Sequence, residues 1–255
     1  MHDIMKKWGL LAKTMGIVLV LLAFKVIISF AGWEIFPMNA LVTAFIGAVI
    51  FTLAIIFTGT LVDYKESEKI PSDLATSIRS LSHDFDVIPG VDKGIIWQGK
   101  NDVVSLLDMI CENFRSNNWE TGKVHGGIRK VNTNIHTLAG LNVAPPLLVK
   151  MRNELTAIDR ISNRIATIAG TSFIPTAYAI SEVAIGAVIV VLLFLKMDSL
   201  LQGLVLFGAI AVLAIGLLLL IKDMDNPFEV GAGTYADVNL DLLWDLQREM
   251  RNEQE

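Results

Sequence analysis

Four long apolar runs constrain this chain more than any other feature. Residues 9–32 (GLLAKTMGIVLVLLAFKVIISFAG), 38–62 (MNALVTAFIGAVIFTLAIIFTGTLV), 177–196 (AYAISEVAIGAVIVVLLFLK) and 200–221 (LLQGLVLFGAIAVLAIGLLLLI) each reach the length of about 20 residues that a helix needs to cross a bilayer. The first run is too long for a signal-peptide core, lacks a clean small-residue cleavage site and is followed at once by a second span. Composition agrees: 53% of the 255 residues are hydrophobic and 18% are charged, against about 25% charged in a typical soluble domain. Mean hydropathy is +0.55. The expectation is an all-α membrane protein with four transmembrane helices in two hairpins.

The segment GWEIFP (residues 32–37) joins the first pair of spans, and Met197-Asp198-Ser199 joins the second. Residues 1–8, 63–176 and 222–255 therefore share one face of the membrane. Lys6, Lys7, Lys65, Lys69, Arg160, Arg164 and Lys222 gather on that face, whereas the short loops opposite carry only Lys196. Basic residues favour the cytoplasmic side, so a multi-pass cell-membrane protein with both termini and residues 63–176 in the cytoplasm is expected. Four regions follow: an N-terminal transmembrane hairpin (1–62), a cytoplasmic helical region (63–176), a C-terminal transmembrane hairpin (177–221) and a cytoplasmic C-terminal segment (222–255). The net charge of −5 argues against nucleic acid as the main partner. A lone Cys111 implies no disulfide and reads as a buried packing residue.

Within 63–176, Pro71-Ser-Asp marks a helix start with Ser72 or Asp73 as N-cap, and Pro89-Gly90-Val-Asp-Lys-Gly94 marks a turn. Asn101-Asp102 is expected to cap VVSLLDMICENF, which Ser116-Asn117-Asn118 ends. Residues 119–138 are polar and give only a weak helical signal. Pro145-Pro146 opens a last helix closed by Gly170, with Leu148, Met151, Leu155, Ile158, Ile161 and Ile165 forming one apolar stripe. No strand pair or repeat is evident.

Catalytic chemistry has no positive support: phosphate-binding loops, dinucleotide fingerprints, nucleophile elbows and zinc-protease helices are all missing. No enzyme, cofactor or metal is implied. His83-Asp84-Phe85-Asp86 reads as a solvated helix end sooner than a metal site, and His125 and His136 lack defined spacing. Charges inside spans are more informative, because each costs about 2.5–3.5 kcal/mol at mid-bilayer on insertion scales. Lys13 and Glu182 both fall near the cytoplasmic interface, either paired with each other or snorkelling separately, and Lys25 lies nearer the outer face, where it can snorkel. In the second span Thr43, Gly47 and Phe51 share one helical face, with Ile46 and Ile50 adjacent. Such a face suits either close helix packing or a dewetting pore around an axis.

The fourth span ends in an acidic turn, Asp225-Asn226-Pro227-Phe228, where proline stops the helix. Two spans, a helical cytoplasmic region, Ile174-Pro175-Thr-Ala-Tyr178 at the third span, and this turn followed by Asp237-Val-Asn-Leu-Asp241-Leu-Leu follow a known plan. The chain resembles the bestrophin family of pentameric anion channels and its prokaryotic relatives. Asp63-Tyr64-Lys-Glu66 with Arg79 is a weaker match. The resemblance implies a homopentamer among membrane lipids that passes small inorganic ions such as chloride, although prokaryotic relatives can prefer cations. It also implies a neck lined by Thr43, Gly47 and Phe51 of the second span. Bulky apolar residues occupy those positions in the family, so Thr43 and Gly47 are departures: they imply a wider or wetter neck, or a register with Ile46 and Ile50 at the axis. The acidic run that follows the turn in calcium-activated members is here Glu229-Val-Gly-Ala-Gly, which does not suit a calcium clasp. The rival reading is a non-conducting membrane scaffold or sensor whose cytoplasmic helices bind a protein partner.

Overall fold

Helix α1 (His2–Phe30) carries the first apolar run, and a short connection holding β1 (Phe36–Pro37) leads into α2 (Ala40–Ser67). Helices α3 (Ile70–Asp86), α4 (Lys93–Ser116), α5 (Thr121–Gly140) and α6 (Pro145–Gly170) follow. The chain then forms α7 (Pro175–Leu193), β2 (Leu195–Lys196), α8 (Leu200–Met224) and α9 (Asp241–Asn252). This computed structural model describes residues 2–170, 175–229 and 234–253. Four helices, α1, α2, α7 and α8, are long and apolar enough to cross a membrane, and the protein is an all-α membrane protein.

The chain divides into two compact units, one of residues 1–64, 172–226 and 233–236, the other of residues 65–171, 227–232 and 237–255. In the first, α1 packs on α8, and α7 packs on both. Val18, Ile185, Val188, Leu192 and Phe207 meet in its core. Fully buried Ala211 and Ala214 keep α8 slim enough for neighbouring backbones to approach. Thr14, also buried, donates its hydroxyl to the Leu10 carbonyl at 2.9 Å, which satisfies a polar group that faces α8. A two-residue parallel ladder, Phe36 with Leu195 and Pro37 with Lys196, joins the two hairpin connections. This ladder was not legible in the sequence, because two residues carry no alternation.

The second unit is built from amphipathic helices. Leu74, Ile78, Leu81 and Phe85 of α3 are fully buried, as are Leu106, Leu107 and Ile110 of α4. The weakly patterned stretch 119–138 is an unbroken helix. Val124, Gly127, Val131, Ile135 and Leu138 of α5 form its buried stripe. A methyl group at Gly127 would sit 2.9 Å from Leu106 Cδ1, so α5 and α4 approach too closely there for a side chain. In α6 the expected stripe is buried at Met151, Leu155, Ile158 and Ile165.

Two expected caps are replaced. Helix α3 begins one residue before Pro71, with Lys69 in the cap position, so Ser72 and Asp73 lie inside its first turn. Helix α4 starts at Lys93, where the Asp92 carboxylate accepts the Gly94 amide at 2.8 Å. Asn101 and Asp102 are therefore mid-helix; two good capping residues misled because the Pro-Gly turn had already ended and an earlier Asp had taken the free amide. The helix ends as expected, with Asn117 in the left-handed region at φ 50°.

Candidate functional site: the second span and its anchors

Asn39 sets the start of α2, since its side-chain oxygen accepts the Val42 amide at 2.9 Å. Residues 40–62 carry no charge, and the helix is apolar on all sides. Three- and four-residue steps turn Ile46, Val49 and Leu53 into the core of the first unit, with Ile50, Ile56 and Phe57 half-buried against it. Thr43 and Gly47 lie on the opposite, exposed face, and Phe51 is 66% exposed beside them. A methyl group built on Gly47 would meet nothing within 4 Å. Thr52 and Thr58 return their hydroxyls to the Ala48 and Ala54 carbonyls, so the exposed face offers no free donor from them. The structure thus groups Thr43, Gly47 and Phe51 on an uncovered face and turns Ile46 and Ile50 toward the chain itself.

The connection between α1 and α2 is held by Lys25, whose placement differs from the expected snorkelling. Its side chain is 1% exposed. Its ammonium donates to Glu34 Oε1 at 2.6 Å, the Leu193 carbonyl at 3.1 Å and the Leu195 carbonyl at 2.5 Å. Three acceptors match the three donors of an ammonium group, which is what permits its burial. Glu34 lies just before β1, and the Ile35 and Phe36 amides donate to the Phe194 carbonyl at 3.0 and 3.1 Å. The segment entering α2 is therefore pinned to the end of α7. Sequence depth alone could not reveal this, because two of the three acceptors are main-chain carbonyls about 170 residues away.

The expected approach of Glu182 to Lys13 is also corrected. Glu182 forms its ion pair with Lys222 of α8, the helix packed beside α7. Lys13 is exposed and makes no ion pair among the described residues.

The acidic turn serves both units. In the first, Asp225 caps the end of α8 and accepts the Tyr178 hydroxyl at 2.7 Å. Two separate sequence signals, the tyrosine of the third span and the acid of the turn, are thus one contact. Asp223 accepts the amides of Tyr235 and Ala236 at 2.9 and 2.5 Å. Asn226 Oδ1 is buried without a hydrogen-bond partner among the described residues. In the second unit, the Pro227 carbonyl accepts the Val238 amide at 2.8 Å and Phe228 is buried. The Phe228 ring lies 5.8 Å from that of Phe114, which also meets Trp119 at 5.2 Å and Trp244 at 6.4 Å. Ile174 and residues 230–233 lie outside the described residues.

Helix α9 is clamped by polar groups at its middle. Gln247 accepts Arg115 at 2.6 Å and donates to Asp108 at 2.5 Å, and Arg251 reaches the same carboxylate at 2.9 Å. Leu243, Leu246 and Met250 supply its buried face. The segment His83–Asp86 is not a solvated helix end: Asp84 is 2% exposed and paired with Lys150 at 2.5 Å, while Asp86 meets Lys100 at 2.8 Å. Lysines thus take both carboxylates, and no cluster suited to a metal occurs among the described residues.

Neither a family model nor a curated protein matches the sequence. Solved structures do match. A variant of a bacterial bestrophin homologue from Klebsiella pneumoniae aligns with a TM-score of 0.80 at 13% identity, covering 94% of this chain and 98% of that one. A second variant of it gives 0.78 at 13% identity, over 95% and 99%. A third structure of the homologue gives 0.77 at 13% identity, over 93% and 97%. The fold is bestrophin-like.

Proposed function

We propose that several copies of this bestrophin-like chain, five by the family resemblance, surround a membrane axis and conduct small inorganic ions passively between α2 helices. The supporting observation is the uncovered α2 face. An apolar helix in a four-span unit would ordinarily turn its large side chains inward or to lipid, but this face mixes an open glycine, a threonine and one large aromatic. Facing an axis, Phe51 forms the narrowest ring, since Gly47 has no side chain and Thr43 retains water. The lining carries no fixed charge, so the barrier is dewetting rather than electrostatic selection. Lys25 and Glu34 then hold the outer entrance of each α2. Both termini and residues 63–176 face the cytoplasm in this reading, as the basic residues direct.

The test is single-channel current from the reconstituted protein under symmetric salt. Phe51→Ala widens the ring and raises conductance or open probability, whereas Ile46→Ala and Ile50→Ala leave the permeation path unchanged. Intact oligomers with no current from any variant would favour the scaffold reading. A projection of the particle without subunits around a central channel would remove the axial pore.

A further inference from the structure

Five of the chain's eight arginines meet a partner side chain: Arg79 meets Glu249, Arg115 meets Gln247, Arg164 meets Glu66, Arg248 meets Asp245 and Arg251 meets Asp108. Arg129, Arg152 and Arg160 have no side-chain hydrogen bond or ion pair among the described residues. Two of these three, Arg129 and Arg152, line one cleft of about 690 Å³ between α5 and α6. Antiparallel packing of the two helices brings Arg129 and Asn132 of α5 opposite Arg152 and Thr156 of α6, with Ile128 and Leu155 among the lining. In a chain of net charge −5, two unpartnered guanidinium groups in one cleft contrast with the five arginines that meet a partner side chain.

The acid in the cleft does not neutralise them. Asp159 Oδ1 accepts the Asn163 amide at 3.2 Å and lies 3.3 Å from His125 Nε2, which also contacts Asn163 Oδ1 at 3.1 Å. That cluster occupies one part of the lining and satisfies the carboxylate there. Two arginines against one aspartate leave an excess of positive charge in the cleft. Guanidinium forks match the paired oxygens of phosphate and carboxylate groups, and each charge-assisted bond is about twice as strong as a neutral one. We propose that this cleft binds a small soluble molecule through a phosphate or carboxylate group gripped by Arg129 and Arg152, with the Asn132 amide as a further polar contact. The site is independent of ion conduction, and its test reads binding alone.

The full chain in detergent is titrated with inorganic phosphate, and separately with citrate, by calorimetry at constant ionic strength. Saturable binding with half-saturation in about the millimolar range is expected for at least one probe. Arg129→Ala and Arg152→Ala each weaken it about tenfold, the scale of one lost charge-assisted bond, while Arg160→Ala, outside the cleft, leaves it unchanged. Arg129→Lys keeps part of the affinity. Melting curves give a second readout: the probe raises the melting temperature of the parent but not of the Arg129→Ala/Arg152→Ala double variant, whose own melting without probe stays at the parental value. Equal binding by all variants, equal loss in Arg160→Ala, or no saturable binding of either probe would overturn the proposal.

Discussion

Helices α2 and α3 follow one another in the chain and treat their large side chains in opposite ways. In α3, Leu74, Ile78, Leu81 and Phe85 are each 0% exposed and form one continuous buried stripe. In α2, Phe51 is 66%, Ile55 58%, Leu41 78% and Val62 64% exposed, and among its large apolar side chains Leu53 alone is almost fully buried. The second unit turns the apolar stripes of its amphipathic helices into a shared core within one chain. The first leaves a face that only lipid or further copies can cover. The same substitution should therefore have very different consequences in the two helices.

The largest effect is expected from Phe85→Ala, which empties a filled site and destabilises the folded chain by about 3–5 kcal/mol. Phe51→Ala removes an identical side chain from the uncovered face and should leave the unfolding free energy of the isolated chain almost unchanged. Unfolding in mixed micelles compares the two; equal losses would mean that α2 is packed within its own chain after all.

The next effect sharpens the contrast inside the first unit. Lys25→Met leaves Glu34 beside a buried site without its cation, and breaking such a pair costs about 3–5 kcal/mol. Lys25→Met combined with Glu34→Gln should recover much of that loss in a double-mutant cycle. Additive losses would show that Lys25 acts through its bonds to the Leu193 and Leu195 carbonyls instead. A smaller effect belongs to the second unit, where Asp92→Ala removes the α4 cap and costs about 1 kcal/mol. Asn101→Ala, at the position first expected to cap, should stay close to the parent in thermal melts.

The contrast also explains what the sequence could convey. Spans of about 20 apolar residues announce themselves by length, and the α6 stripe by period, because burial in the second unit follows helical spacing. Within α2 nearly every residue is apolar, so periodicity cannot separate the core face from the uncovered one. Thr43, Gly47 and Phe51 could be grouped, but their exposure needed three dimensions. Pairings over long distances were not legible at all: Lys25 with main-chain carbonyls, Glu182 with Lys222 in place of Lys13, and Tyr178 with Asp225. Asp84 misled in the same way, since a carboxylate at a helix end reads as solvated until its lysine partner is seen. Arg129 and Arg152 are 23 residues apart, and only the α5–α6 packing places them in one cleft.

The central claim is that the Thr43–Gly47–Phe51 face meets water at an axis rather than lipid. Cysteine accessibility tests it directly, because charged thiol reagents attack thiolates in water and spare thiols held in hydrocarbon. The native Cys111 is fully buried, and burial pushes its thiol up to about 12, so it stays silent near neutral pH. Thr43→Cys, Phe51→Cys, Ile46→Cys and Ile55→Cys would each be reconstituted and exposed to a membrane-impermeant thiosulfonate while current is recorded. The account predicts that Thr43→Cys and Phe51→Cys react and change the current, and that Ile46→Cys, turned into the core, does not. Unreactive Thr43→Cys and Phe51→Cys beside a reactive Ile46→Cys would contradict it.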